Sequence, residues 1–186
     1  GAITLPRVDM GVYEYDSGVR YVDVNAAGAG DGLIWDDAYT DLNLAMSGLY
    51  NDPSAKEIWV ADGVYKPDFG TGDPWSSFVL RDGLAIMGGW DGGEIFAHER
   101  DVDSYRPVLS GDLGGANSYH VMRGQDVDQT AVVDGFVIEH GIADGTTGEG
   151  GGGLLLINAS PSFNDVIFRE NEATVAIGSA VSARGG

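Results

Sequence analysis

The sequence predicts an all-β chain wound as a parallel β-solenoid, a stack of short coils with one N-terminal capping α-helix. Three observations carry that prediction. The 186 residues include 30 glycines, and most of the 29 acidic residues are Asp; Asp and Gly make turns, whereas Glu is the carboxylate that helices prefer. Apolar runs only a few residues long alternate with Gly and Asp pairs along most of the chain. One stretch also repeats without gaps at a spacing of 30 residues.

The same composition excludes several classes of function. Ten basic residues stand against 29 acidic ones, a net charge of −19, which repels phosphate backbones and anionic lipid surfaces, so no nucleic acid is expected as a partner. The longest aliphatic run is Leu154–Ile157, far short of the ~20 apolar residues of a spanning helix, so no membrane span is expected. There is no cysteine, which removes disulfides, thiolate metal sites and thiol nucleophiles. Hydrophobic residues still make up 43%, too many for a disordered chain.

In chain order, the one helical segment is 35–47, where Trp35, Ala38, Tyr39, Leu42, Ala45 and Met46 fall on one face. Asp36 and Asp37 would occupy its first turn, where the helix dipole favours them. Strands follow at 57–61, 77–80, 84–87, 108–109, 119–122, 131–133, 136–138, 154–157 and 166–168. Asp62-Gly63, Asp82-Gly83, Asp91-Gly92, Asp134-Gly135 and Asp144-Gly145 divide them, because these residues tolerate left-handed backbone angles.

The repeat sets residues 130–143 on 160–173, so that Val133 matches Phe163, Asp134 matches Asn164 and Phe136-Val137-Ile138 match Val166-Ile167-Phe168. A weaker echo sets Gly152–Ile157 on Gly178–Ala183. Short strands with Gly, Asn and Asp corners suit a coil whose strands pair with those of the coils above and below. A β-sandwich would prefer longer strands joined as hairpins, and no Asn-Gly hairpin signal is present. The helix then covers the apolar opening of the first coil and blocks edge pairing there.

The segments Tyr21–Ala38, Ile58–Pro67, Phe78–Trp90, Val108–Asp112 and Val133–Ile138 resemble right-handed parallel β-helix proteins of the pectin-lyase-like superfamily, especially large secreted bacterial repeat proteins. The resemblance implies the right-handed coil and an extracellular or cell-surface location. It says little about activity, since the superfamily holds lyases, hydrolases, esterases, adhesins and passive surface proteins. One departure stands out. A segment like Val8–Tyr15 usually closes the C-terminal end of such a helix, yet here it precedes the cap.

Two units are therefore expected: residues 1–16 as a strand segment resembling a closing coil, paired in trans, and 17–186 as the β-helix module. The chain also resembles an unfinished coil at Gly178–Gly186, and an unpaired strand edge invites a partner strand. Head-to-tail strand addition would make a structural filament or surface fibre, with other copies of the chain as the partners. The assembly interface is then Ala2, Ile3, Leu5, Val8, Met10, Val12, Tyr13 and Tyr15 against Ala180 and Val181. A module cut from a longer tandem array is the other account of the same features. Neither an initiator Met nor a signal peptide is seen, as in a processed exported protein.

No catalytic residue is assigned, and activity as a polysaccharide lyase or glycosidase remains an alternative that needs convergent carboxylates. The repeat stacks Glu139 on Arg169, an expected surface ion pair, and His140 on Glu170, a candidate acid–base couple. His98, His120 and His140 lack metal-ligand spacing, and Lys56 and Lys66 lie in no lyase motif. No organic cofactor is expected. Ca²⁺ is the one ion suggested, by Asp23 and Asp31 in the pre-helix loop, where turn formation is the competing role. Trp75, Trp90 and Tyr105 are candidate faces for stacking on a polysaccharide, against core packing. Asn158-Ala159-Ser160 matches a glycosylation acceptor pattern.

Overall fold

The computed structural model describes residues 18–49, 54–144, 150–174 and the backbone of 181–184. The protein is mostly β, with a single α-helix and only parallel ladders between its strands among the described residues. The 1–16 segment and the predicted interface residues Ala2, Ile3, Leu5, Val8, Met10, Val12, Tyr13, Tyr15 and Ala180 lie outside the described residues.

Strand β1 (Val19–Val22) and helix α1 (Leu42–Gly48) come first. They are followed by β2 (Glu57–Ala61), β3 (Val64–Tyr65), β4 (Phe78–Val79), β5 (Ala85–Trp90), β6 (Val108–Ser110) and β7 (Met122–Gln125). Then come β8 (Val132–Asp134), β9 (Val137–Glu139), β10 (Ile142–Ala143), β11 (Leu154–Ile157), β12 (Ser162–Asn164), β13 (Ile167–Arg169), β14 (Glu172–Ala173) and β15 (Val181–Arg184). From β2 onward the chain visits three sheets in a repeating order: β1-β2-β5-β8-β12, β3-β6-β9-β13 and β4-β7-β11-β15, with β10-β14 as a fourth, two-stranded pair.

Register lines up three inward rows of apolar side chains. They are Ile58-Ile86-Val133-Phe163, Tyr65-Leu109-Ile138-Phe168 and Phe78-Met122-Leu154, each formed by directly paired residues. All but Phe163 and Phe168 are buried, and full burial of such a side chain stabilises by about 1.5–3 kcal/mol. The 30-residue repeat is therefore a register: Val133 pairs with Phe163, Ile138 with Phe168 and Ala143 with Ala173. The weaker echo is off by one. It aligns Leu154 with Ala180, but β11 pairs Leu154 with Val181, because a run of small residues does little to pin register.

Tight corners let the chain turn between sheets. Gly135 has φ 82°, and a Cβ on neighbouring Gly88 would lie 2.4 Å from the Gly135 carbonyl oxygen. Arg100 fastens the 91–107 loop over this corner, its guanidinium donating to the Gly88 carbonyl at 2.6 Å and pairing with Asp134 at 2.6 Å.

The helix is shorter than the 35–47 span expected. Asp41 is its N-cap, accepting from the Asn43 and Leu44 N–H groups. Upstream, Tyr39 bridges β1 instead: its N–H donates to the Tyr21 carbonyl, and its own carbonyl accepts from the Asp23 N–H. Asp37 likewise serves a turn, accepting from the Ala29 N–H at 2.7 Å. What remains of the apolar stripe, Leu42, Ala45 and Met46, is buried in the inner core with Leu49. The helix touches β1 and β4, the end strands of their sheets, and β2 beside β1, and so covers that end of the core.

Candidate functional site

Two of the strands at the far end of the sheets, β12 and β13, come from the second copy of the repeat. β12, β13 and β15 are the last members of their sheets, each with one hydrogen-bonded neighbour among the described residues. Val133 and Ile138 are fully buried, whereas their partners Phe163 and Phe168 are only partly covered, packing against the core from its edge. Val166 is also half-buried there, and Ile167 is exposed. Backbone pairing groups and aromatic surface thus lie together on one face. Of the predicted interface, Val181 lies in β15 and pairs with Leu154.

Beside this face runs a ladder of charged side chains brought together by the repeat. Glu139 is buried and accepts from Arg169 Nε at 2.6 Å. His140 stands between two carboxylates, with Nε2 2.8 Å from Glu170 Oε2 and Nδ1 3.2 Å from Glu139 Oε1. Both pairs are therefore in contact, although Glu139 is buried where a surface pair was expected. One ligating atom each from Glu139, His140 and Glu170 lie within 4.8 Å of one another, a mixed nitrogen and oxygen donor set of the kind that can hold a divalent metal. Histidine spacing along the chain gives no hint of it, because the grouping depends on the 30-residue stacking. Of the other histidines, His98 stacks on Phe96 in an exposed loop, and His120 is buried with Nδ1 3.0 Å from the Gly151 carbonyl oxygen.

The aromatic candidates separate. Trp90 is fully buried, stacked on Trp59 with centroids 3.9 Å apart and planes 8° from parallel. Trp35, Tyr21 and Met87 complete this cluster on the outer face of the first sheet, so Trp90 offers no open face to a sugar. The Trp90 indole donates to the Met87 carbonyl, and that of Trp35 to the Glu94 carbonyl. Trp75 is 59% exposed and meets Tyr119 edge-on at 4.9 Å. Tyr105 is half-buried in the 91–107 loop.

Near Trp75 lies an open groove of about 450 Å³, where Met46, Leu84, Phe69 and Val79 supply apolar surface and Asn43, Ser76, Ser77 and Arg81 supply polar groups.

The acidic pre-helix loop is organised by its own turns. Asp23 accepts from the Asn25 N–H and Asp31 from the Leu33 N–H. Asp23, Asn25, Asp36 and Asp37 line one open cavity, and Asp31 is not among its lining residues. Asn158 is exposed, with its amide donating to Asp126 at 2.7 Å. Lys56 and Lys66 are both exposed.

Among the described residues, no helix is long and apolar enough to cross a membrane. No protein-family model, curated protein or solved structure matches the chain.

Proposed function

We propose that the protein is a length of right-handed parallel β-helix, akin to the pectin-lyase-like superfamily, that serves as an extracellular structural module and assembles end to end by strand addition. The fold reading rests on the repeated visiting order of the parallel sheets and on pairing at the repeat spacing. The observation that carries the function is the far end of the sheets. There β12, β13 and β15 each have one paired neighbour among the described residues, beside half-buried Phe163 and Phe168, an apolar and hydrogen-bonding template for another strand. In this reading Ala2–Tyr15 of one copy supplies the strands that cover that face of the next. The contact joins two different surfaces, so repetition builds an open filament.

Negative-stain electron microscopy of the full chain beside a chain lacking residues 1–15 tests this. Regular fibres from the full chain, and folded single particles from the truncated one, are expected. Fibres of equal length from both would sink the strand-addition mechanism.

A second reading is a glycan-binding module, favoured by the exposed Trp75, edge-on to half-buried Tyr119 and next in sequence to Ser76 of a groove of mixed polarity. Saturable polysaccharide binding that weakens in Trp75→Ala would support it.

A further inference from the structure

Asp68 is among the most buried charged residues described, with 2% of its surface exposed. It lies in the loop after β3 and is committed on one side only. Oδ2 accepts from the Gly72 N–H at 2.7 Å, and the Asp68 carbonyl accepts from the Thr71 N–H and hydroxyl. Oδ1 is buried and has no hydrogen-bond partner among the described residues. A buried polar group left in that state calls for an explanation, and an ion or water is the usual one.

Asp68 lines a cavity of about 280 Å³ together with Asp41, Thr40, Tyr65, Lys66 and Gly70. Asp41 is also committed on one side, its Oδ1 capping α1 through the Asn43 and Leu44 N–H groups. Burial raises its pKa, the two cap hydrogen bonds oppose that rise, and the charge of Asp68 adds to it. The two carboxylates therefore sense each other. Neither is paired with Lys66 among the described residues. The arrangement is also held in place without any ion, since the Asn43 amide donates to the Pro67 carbonyl at 2.6 Å and ties the loop to the helix.

We infer that this cavity binds a hard divalent cation, Ca²⁺ by the chemistry of its donors, between Asp68 Oδ1 and the side chain of Asp41. Two carboxylates match the charge of the ion, and an all-oxygen donor set selects a hard cation over a transition metal. The Tyr65 hydroxyl is spoken for, since it donates to the Ala61 carbonyl at 3.0 Å and burial pushes its pKa up. Water reaching the open cavity completes the six to eight oxygens that Ca²⁺ takes. The bound ion joins the start of α1 to the loop after β3, and so locks the cap onto the first strands. This is a different place from the Asp23 and Asp31 loop.

Thermal unfolding and isothermal titration of the full chain, with Ca²⁺ or with a chelator, test the assignment. Saturating Ca²⁺ is expected to raise Tm by roughly 5–10 °C for a chain of this size. Asp68→Asn removes the uncompensated charge, so it is expected to keep or raise the Tm in chelator while losing the Ca²⁺-dependent rise. Asp41→Asn, which retains a good cap residue, is expected to weaken Ca²⁺ binding at least about tenfold, since even losing a partner of a ligand costs that much. Asp23→Asn should bind as the parent does. No Ca²⁺-dependent shift and no titration heat in the parent chain would overturn the inference. So would an undiminished shift in Asp68→Asn, which would assign the effect to the acidic surface at large.

Discussion

His140 and Glu170 both hold left-handed backbone angles, with φ of 59° and 53°, and the His140 N–H donates to the Glu170 carbonyl at 3.1 Å. The same turn is thus made twice, 30 residues apart, once by His and once by Glu, which has no special liking for it. Left-handed angles cost an ordinary L-residue about 1–2 kcal/mol, while an exposed polar contact such as that of His140 with Glu170 returns at most about 1 kcal/mol.

That comparison predicts an inverted order of substitutions. Glu170→Gly and Glu170→Ala delete the same side-chain contacts and differ only in backbone freedom. In an ordinary strand Gly is the worse of the two by about 0.5–1 kcal/mol. At Glu170, Gly should be the better by about 1 kcal/mol. Urea midpoints of the two variants measure this directly, and a lower midpoint for Gly would mean that the corner is not held left-handed in solution.

The inward rows and the exposed aromatic should respond very differently to truncation. Ile138 is fully buried between Leu109 and Phe168 in one row, so Ile138→Ala should cost about 2–5 kcal/mol in transfer and cavity terms. Trp59 is stacked on Trp90 outside the inner core, and Trp59→Ala should cost about 3–5 kcal/mol despite lying on the sheet's outer face. Trp75 is largely exposed, and Trp75→Ala should stay within about 0.5 kcal/mol. Denaturant unfolding of the three variants tests the ordering. A costly Trp75→Ala would mean that the loop carrying it is part of the cooperative fold.

Those contrasts also show which features could be read in the sequence. The inner rows were legible because Val133, Phe136 and Ile138 recur as Phe163, Val166 and Phe168, and a parallel ladder converts that spacing directly into contact. The helix start was not, because Asp36 and Asp37 mimic first-turn acids while the Tyr39 backbone is drawn into a bridge with β1. Asp41, standing just ahead of Leu42, was the cap signal that could have placed the boundary. Trp90, weighed as a sugar platform against core packing, takes the packing role, because a second aromatic layer covers the outer face of the first sheet. Asp68 carries no motif at all. Its isolation comes from the fold of the loop after β3, which no spacing in the sequence encodes.

Charge at the turns predicts two pH effects of opposite sign. Asp128 is held below the usual carboxylate range by the Thr130 hydroxyl, then by the Thr130 N–H and by Asp82. Glu99 is lowered by the N–H groups of Phe96 and Ile95, and Asp101 by the Ser104 hydroxyl and N–H. A carboxyl lowered in the folded state stabilises above its unfolded pKa of about 4 and loses that contribution as pH falls through the folded value. Asp41 behaves in reverse, because burial raises it: its contribution is present below about pH 4 and is lost as pH rises through the folded value. In chelator, Asp128→Asn should therefore lose less stability than the parent between about pH 4 and pH 2. Asp41→Asn, still capped, should gain on the parent above about pH 5 and match it near about pH 3. Urea midpoints across that range measure both. Parallel curves for Asp41→Asn and the parent would show that burial does not raise the Asp41 carboxyl in solution.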